Sequence, residues 1–248
     1  MGWVVRWLSW KNGGDKEREC FPSARALNET TVKRADLSPT HRAWMRLPSG
    51  KHLDLLNPTP DAWEHLDLVT RLSRTYRWGG ESCWPLPLSV AQHSLLVLEI
   101  RRSRSPAPLD AGEELQELLH DAEEGFLGFD CISPLKPILG EPFRVIEQRL
   151  ISTIWERYQV PAWTDATYQR HKQADHIAAA CEAIHCVGWS RQEVMEVLGI
   201  TAAALEEDPL ARRYGEPAWQ PWPAHVAAER FHQNLVQCCG VILDEGRR

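Results

Sequence analysis

The sequence holds no Cys-x-x-Cys pair, no excess of positive charge and no apolar run near the ~20 residues that a membrane span needs. Each absence excludes something. The seven cysteines are an odd number, scattered except for adjacent Cys238 and Cys239. They read as free thiols of a reducing cytosol, not as a disulfide framework or a structural zinc site, so a cytoplasmic location is expected. A net charge of -6 argues against broad electrostatic contact with DNA or RNA, and no stable nucleic-acid partner is expected. The apolar start, Met1 to Trp10, is short and is interrupted by Arg6. No small-residue cleavage site follows it, so it does not read as a signal peptide, and no membrane partner is expected. There is no convincing internal repeat.

What is present is ordinary for a soluble globular chain: 248 residues, 43% hydrophobic and 25% charged. Twelve tryptophans are many, but several sit in Pro/Trp stretches such as Pro217 to Pro223. Residues 1–40 show no clear period and read as an N-terminal extension of unassigned role. Residues 41–248 read as one domain with a C-terminal helical extension. Short runs around Pro48-Ser49-Gly50-Lys51 predict a small β-hairpin. Pro58-Thr59-Pro60-Asp61 predicts a helix start, with Thr59 or Asp61 as cap and Gly79-Gly80 as the stop. Helical spacing then predicts helices at about 89–101, 112–124, 141–159, 166–187, 191–198 and 224–238. The fold class is therefore all-α with one minor hairpin.

Three of those helices carry a polar residue that is hard to bury inside an apolar stretch. His93 lies in Val-Ala-Gln-His-Ser-Leu-Leu-Val, His120-Asp121 follows Leu118-Leu119, and Asp175 precedes His176-Ile177-Ala178. An isolated buried carboxylate costs several kcal/mol unless it is paired or binds a metal. Two imidazoles and two carboxylates suit one divalent transition ion, Mn²⁺, Co²⁺, Zn²⁺ or Fe²⁺, better than Mg²⁺. Each piece alone is weak. A lone His on an apolar helix is more often a satisfied core residue, and Asp175 alone reads as a surface charge.

The order His, His-Asp, Asp on separate helices resembles the signature of HD-domain metal-dependent phosphohydrolases. Leu-Ser-Val-Ala-Gln-His-Ser (88–94), Leu-Leu-His-Asp-Ala-Glu-Glu (118–124), Ile-Ser-Pro-Leu-Lys (132–136) and Arg77-Trp78 are similar to segments of bacterial 5′-deoxynucleotidases and phage dATP triphosphohydrolases. The similarity spans about residues 45–185. It implies His93, His120, Asp121 and Asp175 as metal ligands, and Glu124 as the catalytic carboxylate. It implies Asp130 as a supporting catalytic residue, and Arg77, Trp78 and Lys136 as substrate contacts. Position 129 is Phe, so Asp130 and Lys136 each come one residue later than in the family pattern. Glu123 reads as a surface charge, and His176 as a supporting or otherwise satisfied histidine.

The resemblance further implies water attack at the α-phosphorus of a (deoxy)nucleotide, with phosphate released from a monophosphate or triphosphate from a triphosphate. Glu124 would move the proton, while Lys136 and Arg77 offset phosphoryl charge. It also implies assembly into a homo-oligomer. Other readings stay open: an HD phosphodiesterase for another nucleotide, a metal-containing nucleotide sensor without turnover, or a helical interaction protein.

Overall fold

The structure is a computed structural model that describes residues 43–245, with side chains through residue 240. The expected extension over 1–40 lies outside the described residues. Strands β1 (Trp44–Arg46) and β2 (His52–Asp54) pair antiparallel, with Met45 opposite Leu53. This is the expected hairpin. The rest is helical: α1 (His65–Arg74), α2 (Val90–Arg104), α3 (Ala111–Leu118), α4 (Ala122–Leu127), α5 (Lys136–Tyr158), α6 (Asp165–Cys181), α7 (Arg191–Glu196), α8 (Pro209–Tyr214) and α9 (Ala224–Glu245). The chain is all-α with a small N-terminal hairpin. No helix among the described residues is long and apolar enough to cross a membrane.

Helix α2 is the centre. Its first turns, Val90 to Leu98, are buried all round, as expected of a helix with neighbours on every side. It packs against α1, α3, α6, α8 and α9. Ser89 starts it by accepting from the Gln92 N–H at 3.2 Å. Helix α6 begins at Thr164, whose side chain bonds the Thr167 N–H while Thr167 bonds back. Helices α1 and α4 approach closely because position 125 has no side chain: a Cβ there would lie 3.0 Å from the Leu72 side chain. The T-shaped Trp63–Phe126 pair, centroids 5.1 Å apart, seals that contact.

Several helix boundaries differ from the sequence expectation. Helix α1 starts at Glu64, not at Thr59 or Asp61, because Glu64 and Asp67 form a reciprocal cap. It ends at Arg74, well before Gly79, because Tyr76 bridges to Ser89 as extended chain. The expected helix over 112–124 is two helices, broken at Leu119–Asp121 where the backbone leaves helical angles. Within α5, Gly140 takes non-helical angles, φ +76° and ψ -166°, and separates a short first turn from the long helix, which runs on after Gly140 as expected. The helix expected over 166–187 ends in a π-helical turn, Glu182–Val187, and α8 has no counterpart in the expected elements.

Candidate metal centre

Three separate pieces of chain bring four potential ligands together. His93 comes from the first turn of α2, His120 and Asp121 from the break between α3 and α4, and Asp175 from α6. His93 Nε2 lies 3.2 Å from His120 Nε2, 3.5 Å from Asp175 Oδ1 and 3.5 Å from Asp121 Oδ2. Asp121 Oδ2 is 3.1 Å from His120 Nε2. His93, His120 and Asp175 form a mutually close donor group of the kind that can hold a metal ion, and Asp121 borders both imidazoles.

The ring nitrogens facing away fix which nitrogen is offered. His93 Nδ1 lies 2.6 Å from Glu182 Oε1, and His120 Nδ1 lies 2.8 Å from the Glu117 carbonyl. A carboxylate and a carbonyl can only accept, so each Nδ1 carries a proton and donates it. Both Nε2 lone pairs then face two carboxylates. Such a set of bases holds together only around a cation: a proton, or a metal ion. Donors about 2.1 Å from one ion at tetrahedral or cis-octahedral angles stand roughly 3.0–3.4 Å apart. The observed 3.1–3.5 Å separations are close to that spacing, and the group could hold a metal ion.

The charge balance without an ion points the same way. Burial, the largest influence on His93, and the Arg77 cation both oppose its protonation. The Glu182 charge and bonds to Asp121 and Glu182 outweigh them and raise the imidazole to about 9. Burial would raise Asp121, but the His120 charge and its bonds to His120 and His93 pull it well below the ordinary carboxylate range. Asp175 is likewise pulled down against burial, chiefly by Lys172, whose Nζ lies 2.6 Å from Oδ2.

The remaining expected residues divide. Glu124 is buried, and among the described residues nothing bonds its Oε2. Burial and the negative charges of Asp121, Asp130 and Glu123 hold its carboxyl well above the usual range. The break at Leu119–Asp121 means that His120 and Glu124 do not share one helix. Arg77 reaches three carboxylates: Glu182 at 2.9 Å, Asp130 at 3.7 Å and Asp121 at 3.9 Å. Asp130 therefore sits at the edge of the cluster through Arg77. The Trp78 indole N–H donates to Glu182 Oε2 at 3.1 Å. Its backbone holds φ +57°, left-handed for a bulky residue, at a cost of about 1–3 kcal/mol. Lys136 is not free: its Nζ lies 2.9 Å from Glu147 Oε1.

Glu123, expected as a surface charge, is buried, and its Oε2 has no partner among the described residues. Burial and the Asp121 charge raise it to about 8. His176 is exposed.

Against known proteins, no protein-family model matches the chain. An uncharacterized protein of Rhodobacter capsulatus is 38% identical over 161 residues, which span 64% of this chain and 80% of that protein. The chain belongs to the same family as that Rhodobacter protein. The name of this family member carries no activity, so the chemistry has to come from the site.

Sequence reasoning missed four side chains of this chain's site. Glu182 touches His93, Arg77 and Trp78 at once. Glu117 bonds Arg101 at 2.7 Å and His171 Nδ1 at 2.8 Å, beneath His120. The His171 ring stands 4.7 Å from the His120 ring and is stacked on Trp163. Lys172 holds Asp175 from one turn away. For His171 and Glu182 the signal is spacing: with Asp175 they recur at helical intervals of four and seven along one helix face.

Proposed function

We propose that this protein is a metal-dependent phosphohydrolase of (deoxy)nucleotides, of the HD class, acting at the α-phosphorus. The observation that carries the reading is the convergence of His93, His120 and Asp175 as one mutually close donor group, with Asp121 bordering both imidazoles, from three separate parts of the chain. A divalent transition ion, when bound there, supplies Lewis acidity towards a phosphoryl oxygen and the means to activate a water.

The chain's own residues supply the rest. Glu124 holds a proton at its buried carboxyl, beside the cluster, and delivers it to the leaving 5′-oxygen. Arg77 turns Nη1 towards Asp121 and Asp130 and opposes charge on the non-bridging oxygens. Lys172, part exposed beside Asp175, is a second cation within reach of that charge. Trp78 offers an indole at the same edge for the sugar or base. Lys136 joins them after parting from Glu147.

The test is release of phosphate and triphosphate from ribo- and deoxynucleoside mono- and triphosphates with Mn²⁺, Co²⁺, Zn²⁺ and Mg²⁺, with Asp121→Ala as control. Release that needs a transition ion and is lost in Asp121→Ala is the expected result. Bound ion with no turnover across the panel would replace this reading with a nucleotide-binding protein.

A further inference from the structure

Glu182 opens the π-helical turn that follows α6 and is fully buried. A carboxylate taken out of water is stable only when its oxygens are bonded and its charge is met. Glu182 meets that condition entirely from the site. Oε1 faces His93 Nδ1 at 2.6 Å. Oε2 accepts from Arg77 Nε at 2.9 Å and from the Trp78 indole N–H at 3.1 Å. The chain from Asp165 to Cys181 is α-helical, so Glu182, seven positions beyond Asp175, falls on the same helix face as that residue.

Each of the three bonds does something definite. The bond to His93 fixes the ring plane and keeps the proton on Nδ1, so that Nε2 is offered to the ion. Carboxylate bonds of this kind raise ligand basicity. The bond to Arg77 through Nε leaves Nη1 turned to Asp121 and Asp130. The bond to Trp78 holds a left-handed backbone that a tryptophan does not adopt freely.

We infer that Glu182 is the positioning residue that ties the metal half of this site to its substrate half, so that ion affinity and the aim of Arg77 and Trp78 depend on one buried carboxylate. The inference rests on the metal reading above and goes beyond it: Glu182 touches neither ion nor nucleotide.

The test uses the full chain and Co²⁺ alone, followed by direct titration and by the visible absorption of the bound ion. Glu182→Gln keeps the shape but puts an N–H₂ group against donors. The expected result is Co²⁺ affinity weakened about 10–100-fold, with altered absorption bands. Glu182→Asp keeps the charge but is one methylene short of reaching all three partners, and its Co²⁺ affinity should fall as well. This variant decides the matter if the glutamine variant does not fold. In the Zn²⁺-loaded wild-type chain, the His93 Nδ1 proton should exchange slowly in ¹⁵N-histidine spectra, a measurement that needs no variant. Equal Co²⁺ affinity and spectra in wild type and folded variants, or rapid exchange of that proton, would overturn the inference alone. Failure of the wild-type chain to take up Co²⁺ would overturn the metal reading and this inference with it.

Discussion

Lys136 Nζ sits 2.9 Å from Glu147 Oε1, so the cation that the family resemblance assigns to phosphate is already paired within α5. The pair is partly exposed at Lys136 and is worth about 0.5–1 kcal/mol. A nucleotide that recruits Lys136 has to break it. Glu147→Gln should therefore lower KM about 2–5-fold, the same free energy expressed as a ratio. An unchanged or higher KM in steady-state phosphate release would mean that Lys136 works from its present position or not at all.

Glu124 is the proton donor in the proposed chemistry, and it is absent from the mutually close ligand group. Glu124→Gln should cut kcat by about 10²–10⁴-fold. Co²⁺ affinity should stay within a few-fold of wild type. Parallel loss of Co²⁺ binding would instead make Glu124 a ligand.

Metal removal gives a test free of any assay for turnover. An ion at about 100 times its Kd stabilises the folded chain by about 2.7 kcal/mol. For a chain of this size that corresponds to a thermal midpoint roughly 5–10 °C higher. Chelator should reverse the shift, and Asp175→Ala should abolish it. A midpoint indifferent to Co²⁺ in wild type argues that His93, His120 and Asp175 hold nothing.

The buried thiols set a pH dependence. Burial pushes Cys181 and Cys238 up to about 12, because the thiolate is penalised more than the thiol. The folded state thus prefers the protonated form. Stability from this source is whole below the unfolded thiol value of about 8.5, and it is lost as pH rises from there towards 12. Thermal midpoints between pH 8 and 11 should fall. Among the described cysteines, exposed Cys83 should react first with a thiol reagent at pH 8. Faster modification of Cys181 or Cys238 would contradict the packing.

The sequence by itself determined the helical class, the hairpin and the residues that converge. Polar side chains at His93, His120, Asp121 and Asp175 within apolar helical stretches advertise a shared interior partner, because burial without one is costly. Caps such as Ser89 and Thr164 were also local, since a side chain and a backbone N–H within one turn make them. Tertiary structure decided what depends on distant neighbours. The break at Leu119–Asp121 turns His120 and Asp121 towards His93, where an apolar period alone suggests an unbroken helix. The burial of Glu123 depends on how α4 meets α5, and the pairing of Lys136 with Glu147 on the bend at Gly140 between them. For Glu182 the sequence offers only its interval of seven from Asp175, not its partners. Its bonds to Arg77, Trp78 and His93 join residues about ninety to a hundred positions apart, and hydrogen bonds of that separation leave no local period in the chain.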